Sequence, residues 1–87
     1  MSNKAKLISQ ALILGSGPDN PKAAEFIDGV LNDFVHETIE SQRIDLGGRT
    51  IVAILIAHDP AHGDAIRDEL EKAGPSFNLD IGMLEVS

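Results

Sequence analysis

Thr50-Ile51-Val52-Ala53-Ile54-Leu55-Ile56-Ala57 is apolar at seven of its eight positions and rich in β-branched side chains. Such a run reads as a central strand covered on both faces. On its N-terminal side stands Gly47-Gly48-Arg49, a hairpin turn, because glycines supply the positive φ that tight hairpins need. Before the turn, Val35 to Leu46 carries Thr38, Ile39, Ile44 and Leu46 among polar residues. That imperfect alternation predicts a partly exposed edge strand, where charges also discourage aggregation. On the C-terminal side Asp59 caps a second helix, with Pro60 at its first position and Ile66, Leu70 and Ala73 on its buried face. Gly74 is the expected C′ residue and Pro75 forbids continuation. Leu79, Ile81 and Met83 then alternate with Asp80, Gly82 and Leu84 through Val86, a last strand.

The N-terminal half repeats this plan. Leu7 to Leu14 predicts a strand, and the turn formers Gly15-Ser16-Gly17-Pro18-Asp19-Asn20 are expected to end it. Asn20 serves as N-cap and Pro21 as first helical residue. Ala23, Ile27, Val30, Leu31 and Phe34 fall on one helical face, with Glu25, Asp28, Asn32 and Asp33 mostly opposite. Leu12-Ile13-Leu14 leads to Asn20-Pro21 and Ile27 as Ile54-Leu55-Ile56 leads to Asp59-Pro60 and Ile66.

Two such βαβ units joined by a hairpin give an α+β, ferredoxin-like βαββαβ sandwich in a single domain over residues 1–87. The four-stranded antiparallel sheet takes the order 4-1-3-2, and right-handed crossovers place two helices on one face. The third strand is apolar on both sides: Ile51, Ala53 and Leu55 on one, Val52, Ile54 and Ile56 on the other. Helices cover only one of these, so another copy or a neighbouring domain is expected on the second. A homodimer, or pairing with a neighbouring domain, is the expectation.

Composition narrows the function. The formal charge is −7, from 14 acidic and 7 basic residues. An acidic domain repels phosphate backbones, so a nucleic-acid partner is not expected. The only aromatics are Phe26, Phe34 and Phe77, none on the central strands, which removes the base-stacking platform of RNA-recognition domains of the same fold. No apolar run approaches the roughly 20 residues that span a bilayer, so no membrane partner is expected. Lys4 and Lys6 precede a short apolar stretch, but Ser9, Gln10 and Gly15 interrupt it, unlike a signal peptide. A cytoplasmic location is the default. There is no cysteine, which excludes disulfides, thiolate metal sites and iron–sulfur clusters.

Catalytic constellations are weak. His58 and His62 are four apart, but Asp59-Pro60 starts a helix between them, so they need not converge on a metal. A solvent-facing helix start is the simpler reading. Asp64, Asp68, Glu69 and Glu71 read as a solvated face, with Arg67–Glu71 and Asp68–Lys72 at helical pairing distance. Ser16 lacks the context of a nucleophile elbow, and Gly15-Ser16-Gly17 is not followed by the Lys-Ser/Thr of a P-loop. No catalytic residue, metal ligand or cofactor is assigned, and the chain is expected not to be an enzyme.

Gly17-Pro18-Asp19-Asn20-Pro21, between the first strand and the first helix, resembles the Gly-x-Asp-x-Pro-Gly turn of ACT domains. Those at the N-terminus of bacterial phosphoserine phosphatases and in glycine-cleavage regulators are especially similar. Ile39-Glu40-Ser41-Gln42 resembles the Ile-x-x-Gln pattern of that family's second strand, and Gly48-Arg49 before the apolar third strand is similar too. The likeness extends over essentially the whole chain through element order and spacing.

The resemblance implies a regulatory domain that binds a small ligand, an amino acid, at a domain–domain or dimer interface. Gly17, Asp19, Asn20, Pro21 and Lys22 would supply the loop, and Ser41 and Gln42 the strand of a neighbouring copy. Lys22 stands where the family has a glycine. Its side chain either pairs with a ligand carboxylate or fills the pocket. The aspartate-rich catalytic motif of phosphoserine phosphatases has no counterpart here, which implies a detached regulatory domain or a free-standing relative. The plainer alternatives are that Gly17–Pro21 is a turn and a helix cap, and that the chain is a structural association module without a ligand.

Overall fold

The computed structural model describes residues 6–86. The expectation drawn from the N-terminal lysines falls largely on residues 1–5, outside the described residues. The elements are β1 (Ser9–Pro18), α1 (Ala23–Leu31), β2 (His36–Leu46), β3 (Arg49–His58), a 3-10 turn (Pro60–His62), α2 (Gly63–Ala73), a second 3-10 turn (Gly74–Phe77) and β4 (Asp80–Glu85). The sheet runs β2-β3-β1-β4, which is the expected order read from its other edge, and every pairing is antiparallel.

One face of this sheet carries the core. Ala11 and Ile13 of β1 and Val52, Ile54 and Ile56 of β3 pack with Ala23, Ile27 and Leu31 of α1 and Ile66 and Leu70 of α2. Both helices therefore cover the same face. With no Tyr or Trp and few Phe, the interior is aliphatic. Phe26 and Phe77 instead stack at its margin, ring centres 3.9 Å apart.

The hairpin forms as read, with Gly47 at φ 59° and Gly48 at φ 76°. It brings Asp45 opposite Thr50 and Leu46 opposite Arg49. The edge position of β2 also holds: from Glu37 to Leu46 every residue is exposed.

Three local expectations are corrected. First, β1 does not stop at Leu14 but runs on through Gly15, Ser16, Gly17 and Pro18, paired with β3 throughout and with β4 as far as Ser16. Its glycines are there for close packing. A Cβ on Gly15 would lie 3.1 Å from Ile27 Cδ1, and one on Gly17 would collide with the carbonyl oxygen of Asn78. Second, α1 starts at Ala23, not Pro21, because Asn20 closes a turn of its own first: its Oδ1 accepts from the Lys22 amide at 3.0 Å. Asp59 likewise caps the 3-10 turn by accepting from the Ala61 amide at 2.9 Å, and α2 follows from Gly63.

Third, Gly74 is right-handed (φ −52°), and the left-handed residue is Asn78 (φ 57°). Gly74 is required by space, since a Cβ there would sit 2.8 Å from the Leu79 carbonyl oxygen. Within this chain one face of β3 is covered, as two helices on one side require. Val52, Ile54 and Ile56 are buried beneath the helices, whereas Ile51, Ala53 and Leu55 remain half-buried on the open face.

Candidate functional site

The turn after β1 is anchored almost entirely through Asn20 and the end of the β2–β3 hairpin. Asp19 donates its amide to the Gly48 carbonyl at 2.9 Å. The Asn20 amide donates to the Thr50 hydroxyl at 3.1 Å, and that hydroxyl donates onward to Asp45 Oδ1 at 3.0 Å. Thr50 is fully buried, so both of its bonds matter. The Asn20 side chain donates through Nδ2 to the Phe77 carbonyl at 3.1 Å and accepts through Oδ1 from Lys22. Its carbonyl accepts from the Ala23 amide at 3.2 Å.

Arg43 of β2 closes the arrangement. Its Nη1 donates to the Pro21 carbonyl at 3.2 Å, and its Nη2 lies 3.2 Å from Asp45 Oδ1. The Asp45 carboxyl is held below its ordinary range by the Arg43 hydrogen bond first and the Thr50 hydrogen bond second. β2 is thereby tied to the start of α1 through charged and polar groups at the surface. Beside them a cavity of about 390 Å³ opens, lined by Asp19, Asp45, Leu46, Gly47, Gly48 and Arg49. It offers two carboxylates and a guanidinium, groups suited to a ligand carrying both an ammonium and a carboxylate.

The sequence-derived candidates distribute unevenly around this feature. Asp19 lines the cavity, and Lys22 is exposed at the entry to α1. Asn20 and Pro21 sit in the turn, with the Asn20 side chain and the Pro21 carbonyl already bonded within the chain. Gly17 lies behind it, against Asn78. Ser41 and Gln42 separate: Ser41 pairs with Ile54 on the helix-covered side, while Gln42 pairs with Ala53 on the open side. Gln42 lines a shallow open-face hollow of about 170 Å³ with Leu12, Glu40, Ala53 and Leu55.

Arg43, Asp45, Arg49 and Thr50 are polar side chains of the site that sequence reasoning did not assign to it. A signal existed. A two-residue turn at Gly47-Gly48 fixes Asp45 opposite Thr50, and alternation then puts Arg43 on the same side as Asp45.

At the opposite end of the sheet His58, the last residue of β3, is 1 % exposed, while Pro60, Ala61 and Asp64 after it are exposed, so the solvent-facing reading holds for the helix start and fails for His58. Its Nδ1 is 2.9 Å from the Asp59 carbonyl and its Nε2 3.2 Å from Glu85 Oε1. The ring fills space that Gly63 leaves open, since a Cβ there would lie 3.2 Å from His58 Cε1. On α2, Arg67 meets Asp64 at 3.4 Å and the Met83 carbonyl at 3.3 Å rather than Glu71. Among the described residues, no group of three or more His, Cys, Asp or Glu is placed to hold a metal ion. No helix among them is long and apolar enough to cross a membrane.

No protein-family model matches the sequence, and no curated protein does. Solved structures do match. An ACT domain protein from Streptococcus pneumoniae is similar with a TM-score of 0.79 at 17 % identity, over 88 % of this chain and 89 % of that one. A protein assigned as a glycine cleavage system transcriptional repressor gives 0.81 at 19 % identity, over 91 % of this chain and 46 % of its own. A formyltetrahydrofolate deformylase from Burkholderia mallei gives 0.76 at 20 % identity, over 88 % of this chain and 28 % of its own. The chain therefore spans nearly all of the first and less than half of the other two. The fold is that of ACT domains.

Proposed function

We propose, taking the ACT fold as the premise, that this chain is a non-catalytic regulatory domain binding a small ligand of the amino-acid class beside the Asp19–Lys22 turn. The observation that carries the reading is the cavity between that turn and the hairpin, with Asp19, Asp45 and Arg49 on its wall. An ammonium is attracted to the carboxylates. A carboxylate is attracted to Arg49, or to Lys22 at the start of α1, where the helix dipole adds to the attraction.

The interface partner is a second copy, or a neighbouring domain of the same or a catalytic kind. Its exposed edge strand would bring Ser41 and Gln42 to the ligand. β2 is suited to that role because it is an unpaired sheet edge, exposed from Glu37 to Leu46. A resemblance to phosphoserine phosphatase N-terminal domains supports the same assignment.

A thermal-shift screen against amino acids tests it, because a ligand that binds only the native state must raise the melting temperature, by an amount equivalent to about 2.7 kcal/mol at a hundredfold excess over Kd. A dose-dependent rise with serine, glycine or another amino acid is expected. Unchanged melting across the whole set would reject the reading.

A second reading, a structural association module without a ligand, is favoured by one observation: the Asn20 side chain and the Pro21 carbonyl are already satisfied within the chain. It expects an oligomer whose size, measured by light scattering, is indifferent to amino acids.

A further inference from the structure

The open sheet face carries a pattern of its own. Cross-strand register places Ile44 beside Ile51, Ala53 beside Leu14, and Leu55 beside Leu12 and then Leu84. These rows form one apolar band running diagonally from the β2 edge near the hairpin to the far end of β4. It is substantially open: Ile44 is 50 %, Leu14 45 % and Leu84 58 % exposed. Gly82, level with Leu14, leaves the surface low there, with no atom within 4 Å of a Cβ position. The band crosses three interstrand gaps of about 4.8 Å and a four-residue offset at about 3.3 Å per residue, so it is roughly 20 Å long. A helix of about 13 residues covers that length.

The two corners beside the band are acidic. Glu37 and Glu40 flank it on β2, where Glu40 is level with Leu55. Asp80 flanks it on β4, level with Ser16. Among the described strand residues the one cation on this face, Arg49 at the hairpin end, is turned onto Ser16 Oγ at 3.3 Å. Two copies stacked face to face would bring three carboxylates from each into one interface against one arginine from each. That arrangement is penalised by like-charge contact, so a second copy is the wrong occupant.

We propose that this face docks a basic amphipathic helix of a partner protein, its apolar stripe along the diagonal and its lysines or arginines over Glu37 and Glu40 on one side and Asp80 on the other. The Ala53–Leu14–Gly82 row gives the stripe a shallow seat. The proposal is independent of any ligand at the Asp19–Lys22 turn.

The test uses the whole chain, isotope-labelled, titrated with a synthetic amphipathic peptide of about 14 residues with a leucine stripe flanked by lysines. Amide shifts are expected at Leu14, Ala53, Leu55 and Leu84. The double variant E40K/D80K is expected to weaken binding by about tenfold or more and to gain binding of the same peptide with glutamates in place of lysines. Leu84→Ser weakens binding of either peptide. Asp28→Lys with Asp33→Lys, on the outer face of the helical layer, leaves it unchanged. Shifts confined to α1 and α2, or binding indifferent to E40K/D80K, would overturn the proposal. So would concentration-dependent shifts of the open face without peptide, which would make a second copy the occupant.

Discussion

Thr50 and Asp45 face one another across the β2–β3 hairpin, and the Thr50 hydroxyl donates to Asp45 Oδ1 at 3.0 Å while accepting the Asn20 amide from the opposite side. This one buried hydroxyl joins the hairpin to the turn that opens α1. Thr50→Val keeps the shape and removes both bonds, leaving the Asn20 amide without its acceptor. Stability should fall by about 1–3 kcal/mol, read as a lowered denaturation midpoint with an unchanged m-value. An unchanged midpoint would show that the turn is held by other groups.

Asp45 gives the network a pH dependence whose sign is fixed. Its folded carboxyl titrates below the unfolded one, chiefly because of Arg43 and then Thr50. Its stabilising contribution is therefore complete above the unfolded value, about 3.9, and is lost as pH falls through the lowered folded value. Asp45→Asn lacks it at every pH. Urea midpoints of the two proteins should differ by a constant amount from neutral pH down to about 4 and converge below that. A gap that persists into strong acid contradicts this account.

Asn20 anchors the turn with its side chain in two directions. Asn20→Ala removes the acceptor for Lys22 and the donor to Phe77, and should cost about 1–2 kcal/mol. Asn20→Asp keeps the acceptor alone and should fall between, by thermal melting. Equal loss in both variants would place the whole effect on the bond to Phe77.

Much of this was legible beforehand. The apolar run Thr50–Ala57, the Gly47-Gly48 turn and the Asn20-Pro21/Asp59-Pro60 echo fix element order and, through handedness, the sheet. What escaped depended on contacts distant in sequence. Gly15 and Gly17 look like turn residues, and only the packing of Ile27 and Asn78 against them makes them strand residues. His58 looks like a surface histidine until Glu85, 27 residues away, comes within 3.2 Å. Of the site, the turn could be located but not its commitments. Nothing in Asn20-Pro21 alone indicates that Arg43 reaches the Pro21 carbonyl. Ser41 and Gln42, adjacent in sequence, lie on opposite faces of the sheet, a consequence of strand period that the motif alone conceals.

The two kinds of glycine separate cleanly by substitution. Gly17→Ala forces a methyl against the Asn78 carbonyl and should destabilise by about 1–3 kcal/mol. Gly29→Ala, within α1 with nothing within 4 Å of the new Cβ, should stabilise by about 0.5–1 kcal/mol. Calorimetric melting of both variants measures the contrast, and a Gly17→Ala protein as stable as the parent would mean that β1 does not pass Asn78 as described.

The reading as a ligand-binding regulatory domain is tested most directly by amide NMR of the labelled chain titrated with amino acids one at a time. Saturable shifts gathered at Asp19, Lys22 and Gly48, with Ser41 or Gln42 joining them if the site is completed across an interface, are the expected result. Spectra that stay superimposable through every titration, or saturable shifts that gather around His58 and Glu85 instead, would contradict it.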